Sequence, residues 1–340
     1  MSIRAPSIRL LVAFAAVYLI WGSTYFGMKV AVQTIPPILL GGIRFTLAGA
    51  ALLALQAATG RVRAEWLTNA RFWGAAALTG GLMLLGANGL LAWSLRSISS
   101  GTAAIVVAFT PVWLVLFDRI QRRQGAPPIR VIAGLAIGAL GVALLAGVGP
   151  GSAKPSFEES VGIAIVTGST LCWALGSILG RRTPGPPALL VGASMQMIAG
   201  GALMLLASAA LAPWTPFSWS AVPWSGWIAV AYLAVAGSML AYSAYVWLLR
   251  NTSAARVATY AYVNPLVAVL LGWLFLDEWP STRLLVAGPL ILAAVVLLQS
   301  VRERGAVRTV AHEHPEATEA ESAPRAELTP RSTSRAGDAR

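Results

Sequence analysis

Charge is what this 340-residue sequence has least of: 11% of it is Asp, Glu, Lys or Arg, while 57% is hydrophobic. Soluble domains carry about 25% charged residues, so there is too little polar surface here to cover a water-soluble globule. Cysteine occurs once, as Cys172 inside an apolar stretch, which excludes an internal disulfide and any multi-cysteine metal site. The two histidines, His312 and His314, lie in a polar tail, and no Asp or Glu falls in the middle of an apolar stretch. Catalysis at membrane depth needs acids, histidines, cysteines or metal ligands clustered there. The chain therefore reads as no enzyme, and nothing in it calls for a metal or another cofactor. It also lacks a glycine-rich Walker loop ending in Lys-Ser or Lys-Thr, which argues against ATP-driven work.

What is present is a series of ten apolar runs. They cover 7–28, 36–57, 72–95, 99–117 and 131–148, then 160–180, 188–211, 224–249, 253–276 and 284–300. Each is long enough to cross a bilayer as a helix, which takes about 20 residues. Barrel strands would be half as long and alternate in polarity. The expected fold is an all-α polytopic membrane protein of ten transmembrane helices, with units at 7–148 and 160–300. Run 7–28 has no small-residue cleavage site before a polar start and reads as an anchor rather than a removed signal. Residues 301–340 have almost no large apolar side chains and are expected to be a disordered tail.

The net charge of +12 does not point to nucleic acid. The tail holds seven arginines and seven acids, which cancel, and the excess is spread between apolar runs with no basic block. Its distribution sets orientation instead. With the N-terminus in the cytoplasm, inner segments before the tail hold thirteen Lys and Arg, and outer segments hold four: Lys29, Arg96, Lys154 and Arg283. Both termini are thus expected to be cytoplasmic, in a bacterial cell membrane. Trp66, Trp73, Trp219, Trp224 and Trp279 fall at run ends or loops, where an interfacial belt belongs.

The sequence also repeats itself at an offset of 150–154 residues. Ile20-Trp21 returns as Cys172-Trp173, each Trp followed eight positions later by a base, Lys29 or Arg181. Pro36-Pro37 returns as Pro186-Pro187, Trp93 as Trp247, Thr110-Pro111 as Asn264-Pro265, and Arg130 as Arg283. Five runs per copy is an odd number, so the second copy enters the membrane from the opposite side. Two inverted bundles can exchange conformations and open a shared cavity alternately to each side. That arrangement serves a carrier. The residues Ile20-Trp21-Gly22-Ser23-Thr24-Tyr25-Phe26, Arg44-Phe45, Asn88-Gly89, Ser100-Gly101 and 260–272 with Asn264-Pro265 together resemble the EamA family of the drug/metabolite transporter superfamily, over about residues 10–300. The resemblance implies two five-helix repeats and export of small solutes. One departure is Asp277-Glu278, where the family more often has glycine before the glutamate.

Candidate substrate-binding residues are those that put polarity or aromatic surface inside the runs. Arg44 is the only charge well within a run; it either attracts an anionic group of the substrate or donates to backbone carbonyls between helices. Asn88 and Asn264 are buried amides that contact substrate or bridge helices. Pro111 and Pro265 are candidate hinges, because each leaves a carbonyl four residues earlier (Val107, Ala261) without its helical partner. Trp21, Tyr25, Trp93, Trp173, Tyr260 and Tyr262, with Tyr242 and Tyr245, are aromatics within runs; they either line a cavity for aromatic or amphipathic solutes or simply pack. Gly134 and Gly138 form a GxxxG that permits close helix packing within the chain or in a homodimer. With no acid at membrane depth, any coupling is expected to proceed by uniport, by exchange, or by proton movement through Lys29, tyrosines or the solute. The expected partners are a small-molecule substrate and the bilayer, with no nucleic acid. The competing reading is a passive channel or membrane scaffold.

Overall fold

In the computed structural model the described residues are 8–121, 129–145, 155–211, 217–252, 257, 259–294 and 296–297. Residues 301–340, the expected tail, lie outside them. Among the described residues there are helices and no strands. Ten apolar helices follow one another: α1 Ile8–Ala31, α2 Pro37–Ala58, α3 Ala70–Ser94, α4 Ser100–Leu114, α5 Ile129–Leu145, α6 Phe157–Gly180, α7 Leu189–Leu211, α8 Trp224–Tyr245, α9 Tyr260–Leu276 and α10 Thr282–Ala294. Six of them (α1, α2, α3, α6, α7 and α8) have the length and hydropathy to cross a membrane. The other four are shorter apolar helices.

The helix ends are written in the sequence. Pro37 opens α2 at a position whose N–H has no helical partner anyway. Ser99 caps α4 by accepting from Thr102 N–H at 3.1 Å, Asn69 caps α3 from Arg71 N–H at 3.0 Å, and Ser156 caps α6 from Glu159 N–H at 3.0 Å. α9 stops at Asp277, which takes the left-handed conformation (φ 53°), and the next N–H, of Glu278, returns to the Gly272 carbonyl at 3.1 Å. Here the departure noted above acquires a reason. The position needs a positive φ, which glycine adopts freely and aspartate tolerates.

Apolar helices gain nothing from hydrophobicity against lipid tails, so close contact must hold them together. The repeat-related pair α2 and α7 pack at the centre, where Gly42 and Gly201 bring the backbones together: a Cβ on Gly201 would stand 2.7 Å from Thr46 N. α3 meets α7 as closely, since a Cβ on Gly80 would lie 2.7 Å from the Gln196 carbonyl oxygen. Gly138 of α5 makes room for the Phe109 ring of α4, so this part of the GxxxG serves packing inside the chain.

The largest apolar core lies at the end of the bundle where α1, α3, α5 and α9 finish and α4, α6 and α10 begin. It includes Met28, Ile35, Leu95, Ile98, Val106, Ile163 and Ile291. This is called the Lys29 end below. The opposite end is held by smaller groups, Ala13, Val17, Leu248 and Val257 in one and Ala76, Val191 and Met195 in another. Among the described residues three helices carry π-helical turns, Ala16–Ile20 in α1, Gly81–Gly89 in α3 and Leu233–Leu240 in α8. The last two are separated by the repeat offset. Such turns free carbonyls from the helical ladder and cluster at functional sites.

Candidate functional site

The π-turns of α3 and α8 and the two helical prolines converge on one cavity of ≈ 170 Å³ in the middle of the bundle. Its wall takes four helices from each half: Trp21 and Tyr25 from α1, Arg44 from α2, Asn88 from α3 and Pro111 from α4, then Trp173 from α6, Gln196 from α7, Tyr242 from α8, and Tyr260, Asn264 and Pro265 from α9. α5 and α10 take no part. The lining is mostly apolar and carries one permanent charge.

That charge is Arg44, 6% exposed. Its Nε donates to the Leu233 carbonyl at 3.2 Å and to Ser238 Oγ at 2.9 Å, and its guanidinium carbon lies 4.6 Å from the centre of the Phe45 ring. Leu233 and Ser238 belong to the π-turn of α8. The turn exposes a carbonyl and Arg44 satisfies it, so Nε does the bridging work that the sequence left open. Arg44 itself lines the cavity, and its Nη2 lies beside Gly237 of the same turn. Both contacts on Nε are neutral, and among the described residues no carboxylate lines the wall.

Around one side the aromatic side chains form a box. The Trp21 ring is 5.2 Å from Tyr260 edge-on and 5.1 Å from Tyr245, and its Nε1 donates to the Gly237 carbonyl at 3.0 Å, tying α1 to the π-turn of α8. Tyr245 reaches Tyr260 at 6.1 Å and Tyr242 at 6.2 Å. Asn264, 5% exposed, donates through its amide nitrogen to the carbonyls of Tyr260 at 3.2 Å and Tyr18 at 3.1 Å, bridging α9 to α1. Asn88 donates to the Met83 carbonyl at 2.9 Å, within its own π-turn. Both prolines stand on the wall. The Val107 carbonyl that Pro111 displaces from the helical ladder accepts from Thr110 Oγ at 2.6 Å, and the helix breaks at Ala108 and Phe109 just before it.

The structure therefore gathers Trp21, Tyr25, Arg44, Asn88, Trp173, Tyr260, Asn264, Pro111 and Pro265 in one place. Three of the aromatics are off the wall, Tyr245 among them, which packs on Trp21 and Tyr260. Trp93 stands 43% exposed on the outside of α3, and Tyr262 is not part of the wall. On a helix, Trp93 lies on a different face from Asn88, and Tyr262 is two residues, or about 200°, from Tyr260. Sequence reasoning passed over Thr24, Thr110, Ser169, Thr170, Gln196 and Ser238, all on the wall. Gln196 carried a readable signal, as the one amide within its apolar run. The hydroxyl residues carried none, since Ser and Thr also satisfy backbone carbonyls in any membrane helix.

Comparison with known proteins agrees with this architecture. The EamA-like transporter family matches residues 8–147 and again 160–300. The uncharacterized inner membrane transporter YedA of Escherichia coli strain K12 is 37% identical over 288 residues, covering 84% of this chain and 89% of YedA. The chain belongs to the EamA-like transporter family. This EamA protein is accordingly an integral membrane protein of a transporter family and not an enzyme. The S-adenosylmethionine/S-adenosylhomocysteine transporter of Chlamydia trachomatis serovar D is 27% identical over 85% of this chain and 89% of its own length. A solved crystal structure at 23% identity shares the fold with a TM-score of 0.58, over 88% of this chain and 99% of the other.

Proposed function

We propose that this EamA protein is a secondary carrier of the bacterial inner membrane that exports small metabolites, amino-acid-like or amphipathic, by alternating access. The observation that supports this reading is a central cavity walled by four helices from each half. In this reading all ten helices cross the bilayer, both termini are cytoplasmic, and the Lys29 end faces outward. The thirteen-to-four bias of Lys and Arg supports that orientation. The four short helices complete their crossings with adjoining turns and a bilayer that thins locally. The two halves rock about the α2–α7 crossing, and the proline-broken α4 and α9 bend.

The cavity's chemistry favours a solute with one anionic group and a flat or apolar body. An arginine at membrane depth without a carboxylate partner is costly, and an arriving carboxylate offsets that cost through paired N–H bonds. Trp21, Tyr260 and Trp173 supply the aromatic surface. The chlamydial relative is named for two compounds that both join an amino-acid carboxylate to an aromatic base. They are the natural first probes.

Proteoliposomes holding the purified protein should show saturable uptake and counterflow of a solute that accumulates inside a deletion strain and in the medium of an overproducing one. Steady, non-saturating conductance would instead mark a channel. Arg44→Gln should lower transport of a carboxylate solute by about 100-fold, the loss of one charge-assisted contact of roughly 3 kcal/mol, while leaving its carboxamide analogue nearly unchanged. Equal losses for both analogues would assign Arg44 to structure alone.

A further inference from the structure

Two ion pairs stand at the Lys29 end, and none of their four side chains lines the cavity. Lys29, in the last turn of α1, donates to the carbonyls of Leu95 at 2.6 Å and Ile98 at 2.8 Å, and its Nζ lies 3.8 Å from Glu278 Oε1. Glu278, just past α9, accepts at its other oxygen from the Ser100 N–H at 2.8 Å and the Ser100 hydroxyl at 2.6 Å. The two side chains are 16% and 12% exposed, and Glu278 Oε1 is buried with no hydrogen bond of its own. It faces the ammonium across a gap wider than a hydrogen bond. Nearby, Arg283 in the first turn of α10 donates to the Leu145 carbonyl at 3.2 Å and to Glu159 of α6 at 3.2 Å. Both clusters cross from one half of the chain to the other. The first ties α1 and α4 to the end of α9, and the second ties α6 and α10 to the end of α5.

The repeat keeps the bases of these clusters and drops the acids. Lys29 has Arg181 as its mate, and Arg283 has Arg130. The mates of Glu278 fall at 124–128, which read Gln-Gly-Ala-Pro-Pro, and those of Glu159 fall at 5–9, which read Ala-Pro-Ser-Ile-Arg. Neither stretch holds a carboxylate.

We propose that Lys29–Glu278 and Arg283–Glu159 form an ionic latch that holds the cavity shut at this end and parts when the cavity opens there. The proposal rests on the alternating-access reading and adds an asymmetry to it. Desolvated charges stay together only while their partners are in place. Separating α9 from α1 and α4 strips Glu278 of three contacts at once, so water reaches the cavity from this side only after the cluster has come apart. Glu278, Lys29, Arg283 and Glu159 are thus positioning residues for the closed state.

The test uses the full chain with Cys172→Ala and a reporter, Ala104→Cys, on the cavity wall four residues into α4. A membrane-impermeant methanethiosulfonate is applied to sealed vesicles of either orientation. A separate Phe157→Cys, at a site 84% exposed in the first turn of α6, identifies the latch face. The reporter should react slowly from that face, and Glu278→Gln should speed the reaction about tenfold, as expected for a modest shift in the open population. Glu159→Gln, nearer the rim and gentler on folding, should act in the same direction. Arg63→Gln, in an exposed pair with Glu65 near the other end, should leave the rate unchanged. If both latch variants react from the latch face no faster than the parent, while the reporter is still reached from the opposite face, the latch is overturned and the carrier reading stands. A reporter reached from neither face overturns both.

Discussion

The two ends of this bundle are closed by different means. At the Lys29 end a large apolar core sits beneath two ion-pair clusters whose members come from both halves of the chain. At the opposite end α1 meets the start of α9 through neutral contacts: Tyr18 and Thr259 share a hydroxyl–hydroxyl bond, and Val17 and Ala13 pack on Leu248 and Val257. Neutral contacts lose little when one group moves by an ångström. A buried charge that loses its partner is penalised heavily. Two copies of one repeat thus need not be held by the same kinds of contact at both ends.

Three changes probe that difference, taken from the largest effect down. Glu278→Ala leaves the Lys29 ammonium half-buried and the Ser100 N–H unpaired, so it should cost about 3 kcal/mol. Thermal unfolding in detergent measures this, and a loss no larger than that of the next variant would mean the two ends are equally held. Tyr18→Phe removes one neutral hydrogen bond at the other end and should cost about 1 kcal/mol by the same measurement. Asp277→Gly relieves the left-handed residue that turns the chain from α9 back toward Ser100. It should raise stability by roughly 0.5 kcal/mol and sharpen the comparison by firming the latch end further. A fall in stability would mean that the aspartate side chain contributes more than its backbone strain costs.

Much of this organisation was legible beforehand for simple reasons. Hydrocarbon forbids unpaired backbone, so ten long apolar runs announce helices. Pairs such as Trp21 and Trp173 survive at a fixed offset because each half repeats one bundle. Arg44 stood out because a lone charge in an apolar run is rare. Trp93, Tyr245 and Tyr262 lie off the cavity wall, because membership of a run says nothing about which face of the helix meets the cavity. Glu278 was passed over because it sits just outside a run, where charges ordinarily meet water. Only the left-handed turn at Asp277 and the approach of α4 put it under cover.

Composition and periodicity by themselves determined that this chain is helical, membrane-embedded and built as two copies of one repeat, since each of those properties follows from local spacing and from what lipid will not solvate. Tertiary structure alone decided which side chains share the cavity, that Arg44 reaches a carbonyl freed by the π-turn of α8, and that Arg283 and Lys29 pair with acids 124 and 249 residues distant in sequence. Contacts between helices so far apart along the chain depend on rotation and crossing geometry, which no single run encodes.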